Sequence, residues 1–231
     1  MSLLEVICLH ENDARRAAEG GADRVELLGS LDDGGMSPTP EVLARTLSVV
    51  DVPVRPMLRL REGFGTDGAE LVRLRGLLDT YLDLGADGVV MGFLDPLTGV
   101  DTQVMTDLAD GSFRWTFHRA IDHTLETDRA WRAVVDLPGL DQVLSAGSPR
   151  GVEHGLDDLI TRATHDPRVA ELLMAGGGLA PDHVPWLHRA GVRAFHIGGP
   201  ARPQRSYRAW VDAALVRSWR DLLDSLDAAQ R

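Results

Sequence analysis

Several side chains that could do acid–base or ligand chemistry sit inside otherwise apolar runs of this 231-residue chain. Glu5 lies between Leu4 and Val6 in "SLLEVICL", and Glu26 between Val25 and Leu27 in "ADRVELLGS". An ionised carboxylate is costly to desolvate, so a glutamate in such a run needs a cation or a proton beside it. "PVRPMLRLREG" offers cations. With period two, Val54, Leu58 and Leu60 fall on one face and Arg55, Met57, Arg59 and Arg61 on the other. "WTFHRAID" adds His118 and Arg119, and "FHIGG" adds His196. Together these could work on a compact anion. Glu5 or Glu26 would serve as general base or as ligand to a hard cation such as Mg²⁺ or Mn²⁺, His118 would move the proton, and Arg59 would hold developing negative charge. A structural alternative stays open, in which Glu5 and Glu26 simply pair with Arg55 and Arg59.

The elements that position these residues follow from the apolar pattern. Short β-rich runs are predicted near Leu3–Leu9, Arg24–Gly29, Val54–Leu60, Gly88–Leu94, Phe113–Arg119, Gln142–Gly147, Glu171–Gly176 and Ala194–Gly198. Helices are predicted between them, with Pro40 and Pro181 in first turns and Asp67 and Asp101 as N-caps. Gly21, Gly85, Gly139 and Gly191 recur at intervals of 64, 54 and 52 residues, each expected just past a helix and ahead of an even-numbered strand. Four two-strand, two-helix units describe an α/β fold, a (β/α)8 TIM barrel, with residues 1–231 as a single domain and a C-terminal helix over about 206–228. A doubly wound sheet is less favoured, because "ICLHENDARR" has no glycine-rich turn.

In such a barrel the C-terminal strand ends form the ligand site. That adds Arg61, Arg119, Ser145 in "LSAGS", His196, Gly176, Gly177, Gly178 and Gly198 as candidate ligand contacts. The glycines would cradle an anion or only make tight turns. Cys8 reads as apolar core, and His10, His123, His154, His165, His183 and His188 as surface.

Composition narrows the classes. A net charge of −11 argues against a nucleic-acid partner. All 24 basic residues are arginine, which excludes lysine Schiff bases and the P-loop lysine. One cysteine, the absence of a long apolar run and acids near the start lead us to expect a cytoplasmic protein without a membrane partner. Part of the apolar stripe Trp210, Val211, Ala214, Leu215, Trp219, Leu222 and Leu223 could serve a homodimer.

The stretches "GGADRVELLGSLDDGGMSPT", "MLRLREG", "LGADGVVMGFL", "TFHRAID", "LSAGS", "MAGGGL" and "FHIGG", in this order over about Leu4 to Gly198, resemble the CutC family of TIM-barrel proteins, named for copper homeostasis. The resemblance implies copper binding in the cytoplasm, and a polar cluster of Glu5, Glu26, Arg59, Arg61, His118 and His196. A metal would fall to Glu26, His118 and His196. Copper(I) prefers sulfur ligands. The family's cysteine positions, after "EV" and "EL", hold Ile7 and Leu28 here. Met57, Met91 and Met174 with the two histidines are the softer substitute that the sequence offers.

Overall fold

Eight parallel strands alternate with helices in a computed structural model that describes residues 1–230. The strands are β1 (Leu3–Cys8), β2 (Arg24–Leu27), β3 (Val54–Pro56), β4 (Gly88–Met91), β5 (Arg114–Phe117), β6 (Leu140–Ser145), β7 (Leu173–Ala175) and β8 (Ala194–Ile197). They are ordered β3-β2-β1-β8-β7-β6-β5-β4. A bridge between Met57 and Val90 joins β3 to β4 and closes the ring into the expected barrel.

The helices are α1 (Glu11–Gly20), α2 (Pro40–Leu47), α3 (Gly68–Asp83), α4 (Thr102–Leu108), α5 (Thr127–Val134), α6 (Val152–His165), α7 (Pro167–Leu172), α8 (Val184–Arg189) and α9 (Ala213–Ala229). Asp67 and Asp101 cap α3 and α4 by accepting from the N–H groups of Glu70 and Val104. Pro40 opens α2. Pro181 instead starts a 3₁₀ turn, and α8 begins only at Val184. All four repeat glycines have positive φ, but Gly139 lies well past the end of α5, in the Pro138 turn, and is no helix cap.

The strands are shorter than the apolar runs. Past Pro56 single ladder bonds persist to Leu58, and Arg59 then leaves: its N–H donates to the Ser37 hydroxyl, and its carbonyl accepts from the Ser37 N–H. The period-two alternation fails with it. Val54 and Leu58 are buried, whereas Leu60 and Arg61 are exposed. The start of the predicted seventh strand is helical, since α7 runs through Leu172.

The main core lies between strands and helices and includes Cys8, Met91, Trp115 and Phe117. Two smaller apolar clusters stand apart from it, Leu28, Met57 and Val90 with Ile7 and Leu9 near the mouth, and Leu144, Met174 and Ala194 with Leu3 elsewhere. Glu5, Arg24, Glu26, Arg55, Thr116 and His196 are buried polar residues on the strands.

The C-terminal helix starts at Ala213, seven residues later than expected, capped by Asp212. Buried Arg202 pulls the preceding chain onto the barrel. His188 is a second correction: it is buried, and its ring bonds the Asp227 carboxylate of α9 at 2.9 Å. No helix of the described residues is long and apolar enough to cross a membrane.

Candidate functional site

Parallel pairing places Glu5 opposite both Arg24 and His196, and Ile7 opposite Glu26. Their side chains form a chain of charges. Arg24 Nε donates to Glu5 Oε2 at 2.5 Å, His196 Nδ1 bonds Glu5 Oε1 at 2.7 Å, and His196 Nε2 lies 3.6 Å from Glu26 Oε2. The glutamates therefore do not meet Arg55 and Arg59, as the alternation of β3 suggested. Arg55 lies near the N-terminal strand ends, bound to Asp87, Asp141 and Thr116. Arg59 turns to the loops, bound to Asp33, Gly35 and Gly63.

Burial acts differently on each group. Burial pushes Glu5 up, but Arg24 and His196 overcome it and hold the carboxyl down at about 2. Glu26 has no such guanidinium bond, so burial, reinforced by the Glu5 charge against the pull of His196, raises it to about 7. For His196 burial opposes the charge, yet Glu26 and Glu5 prevail and its pKa is raised. His118 is pushed down to about 3 by burial, then by the Arg59 charge, and is neutral. Its Nδ1 accepts from the Ala120 N–H at 3.2 Å, so its proton sits on Nε2.

Glu26 Oε1 and His118 Nε2 are buried without a hydrogen-bond partner among the described residues. Both residues line one cavity of about 610 Å³ at the C-terminal strand ends, with Arg59, Arg119, Gly177, Gly178, His196 and Gly198 from the candidate list. Buried polar atoms without partners are rare, and two facing one cavity mark where a ligand's complementary groups would go.

Four candidates are not on the cavity wall. Glu5 sits behind His196 with no exposed surface. Ser145 donates to Asp122 at 2.6 Å. Arg61 is exposed and pairs with Asp67 and Glu70. Gly176 makes room: a Cβ there would lie 2.9 Å from the His196 Cβ. Gly92 does the same for His118, at 2.7 Å from Nδ1, and Gly177 for Arg119, at 2.7 Å from Nε. Several strand-end glycines thus seat the functional side chains.

Sequence reasoning missed Asp33, Phe64, His123, Arg205 and Tyr207, all on the cavity wall. His123 was read as surface, and it is exposed, but its ring lies 5.0 Å from Phe64 at the mouth. Nothing in "ARPQRSYRAW" signals that this stretch returns to the barrel.

The soft donors do not gather. Met57 lines the cavity, but Met91 belongs to the outer core and Met174 to a separate interior cluster. Cys8 is fully buried in the outer core, and burial raises its thiol pKa well above the ordinary value. Among the described residues no three His, Cys, Asp or Glu side chains are grouped to hold a metal ion, so Glu26, His118 and His196 do not converge as a set. The donors do not fit a copper(I) site.

The profile of the CutC family matches residues 2–200. A family protein CutC of Klebsiella pneumoniae is 34% identical over 201 residues, 85% of this chain and 79% of that protein. One from Xanthomonas campestris is 35% identical over 208 residues, 87% of this chain and 85% of that protein. Among solved structures, a CutC protein of Streptococcus agalactiae named for copper homeostasis superposes with a TM-score of 0.77 at 24% identity, covering 86% of this chain and 98% of its own. Phosphoribosyl anthranilate isomerase from Thermococcus kodakaraensis shares the barrel, with a TM-score of 0.64 at 14% identity, covering 96% of this chain and 99% of its own.

Proposed function

This chain belongs to the CutC family, and from that premise we propose that its barrel mouth is an acid–base site for a small anionic metabolite, phosphorylated or carboxylated. The observation that carries this reading is the unpartnered Oε1 of Glu26, a carboxyl with a pKa of about 7, facing the same cavity as the unpartnered His118 Nε2. A group with a pKa near the working pH is the most effective proton donor and acceptor.

In this reading Glu26 passes its proton to an oxygen of the ligand and takes it back. The carboxylate left behind is stabilised by the His196 imidazolium 3.6 Å away, which Glu5 and Arg24 hold in place. Neutral His118 donates from Nε2 to a carbonyl or enolate oxygen, as a donor rather than the proton shuttle its sequence position suggested. Arg119 would draw in the anionic part.

A role in copper homeostasis is the second reading, favoured by family membership and by the name of the Streptococcus relative. Among the described residues the cavity offers copper(I) one thioether, Met57, and no thiol. One experiment separates the readings: thermal-shift screening of phosphorylated and carboxylated metabolites on wild type and Glu26→Gln, beside a copper(I) titration against a chromophoric chelator. The first reading expects a metabolite that raises the melting temperature of wild type only. One-to-one copper(I) binding that strips the chelator, with no metabolite hit, would replace it with the second.

A further inference from the structure

Three arginines line the cavity, and they differ in what their donors already do. A guanidinium has five N–H groups in a fixed fork. Arg59 uses the whole fork on the protein: Nε donates to the Gly63 carbonyl at 3.0 Å, Nη1 to the carbonyls of Asp33 and Gly35, and Nη2 to the Asp33 carboxylate and Gly63. It pins two loops and has nothing left for a ligand. Arg119 donates from Nε to Asp122 and from Nη2 to the carbonyls of Ser148 and Pro149, which leaves Nη1 free. The exposed Arg205 side chain makes no hydrogen bond or ion pair among the described residues.

The backbone goes to some length to present Arg205. Gln204 and Arg205 have φ of 53° and 55°, a left-handed conformation that non-glycine residues rarely adopt. Buried Arg202 holds the turn, donating to both Asp13 oxygens at 3.1 and 2.8 Å and to the carbonyls of Ile7 and Ala209. Asp13 also accepts from the Val211 N–H, which ties down the far side of the segment. Tyr207 lies against the Arg202 guanidinium, 5.0 Å from Cζ to ring centre, and its hydroxyl occupies the space where a side chain at Gly198 would begin. In the loop after the neighbouring β7, the N–H groups of Gly177 and Gly178 have no partner among the described residues. The whole segment lies beyond the residues matched by the family profile.

We propose that Arg205, the free Nη1 edge of Arg119 and the Tyr207 hydroxyl form an oxyanion subsite, and that the segment from Arg202 to Val211 sets which phosphate or carboxylate ligand this protein accepts. This rests on the reading of the mouth as a metabolite site, and adds to it where the ligand's charge goes.

The test is calorimetric titration of the full chain with inorganic phosphate and, separately, malonate, at low ionic strength. Wild type is expected to bind one anion per chain, and the tighter of the two probes names the oxyanion class. Arg205→Met should weaken binding about tenfold and Tyr207→Phe by about threefold, as expected for the loss of one charged and one neutral hydrogen bond. Arg205 is exposed, so its variant should melt with wild type. Arg168→Gln, in exposed ion pairs away from this cavity, should bind the probe like wild type. Unchanged binding in Arg205→Met, or no binding of either probe to wild type, overturns the subsite and leaves the acid–base reading to the metabolite screen. Loss of probe binding in Glu26→Gln with Arg205→Met unaffected would move the anion to the acid–base centre and also overturn it.

Discussion

The two ends of the barrel interior use the same kinds of residue to opposite effect. Near the N-terminal strand ends Arg55 is 1% exposed, and its whole fork is taken: Nε by Asp87 at 3.0 Å, Nη1 by Thr116 and Asp141, Nη2 by Asp141 at 2.6 Å. At the mouth Glu26 and His118 are nearly as buried, yet each keeps an atom without a partner. A closed polar network holds the ring together, whereas an open one leaves chemistry for something else to complete. Burial and charge alone do not mark the mouth; two unpartnered atoms facing one cavity do.

That contrast predicts a graded series of variants. The largest loss of stability should come from Arg55→Met, which leaves two carboxylates without their cation. Because Asp87 and Asp141 are partly exposed, about 3 kcal/mol is expected, at the low end for a broken buried pair, by urea unfolding.

Glu5→Gln should cost about as much. Its folded pKa of about 2 lies below the ordinary 4.5, so its contribution is present above pH 4.5 and lost as the pH falls toward 2. The variant should lose roughly 3 kcal/mol at pH 7 and flatten the acid limb of stability against pH.

Glu26→Gln should reverse the sign. A folded pKa of about 7 against 4.5 means that its stabilising share is complete below pH 4.5 and lost as the pH rises through 7. The variant should therefore gain about 1–3 kcal/mol over wild type at pH 8 while losing ligand response. A loss of stability there would make Glu26 a structural partner and erase the contrast.

Smaller effects sharpen it. His118→Asn keeps a side-chain acceptor for the Ala120 N–H and removes the Nε2 donor, so unfolding should change by about 1 kcal/mol or less while metabolite binding weakens. Arg168→Gln, in exposed pairs with Asp136 and Asp166 away from the mouth, should leave both the melting temperature and binding unchanged.

Much of the fold was legible, because each βα unit carries its own local signal. Apolar runs, the caps Asp67 and Asp101, and Gly21, Gly85 and Gly191 each report on a few neighbouring residues. Glu5, Glu26, His118 and His196 stood out since a charge or imidazole in a buried strand is itself anomalous. Who pairs with whom was not legible. Alternation along β3 aimed Arg59 toward the glutamates and gave no hint that Asp33 and Gly63, from two loops, would take its whole fork. Arg24, the first residue of the predicted second strand and not among the candidates, is the partner of Glu5.

The amino-acid order by itself determined the eight-fold alternation, the absence of lysine chemistry and which buried positions are polar, since these depend on residue type and on contacts close along the chain. The tertiary structure decided the rest. It chose Arg24 over Arg59 as the partner of Glu5, left Glu26 protonatable, scattered the methionines and brought Arg205 and Tyr207 back over the mouth. The physical reason is that pKa, satisfied valence and access depend on groups far apart in the chain. His196 meets Glu5 across 191 residues, and Arg202 meets Asp13 across 189. Only closure of the ring sets those distances.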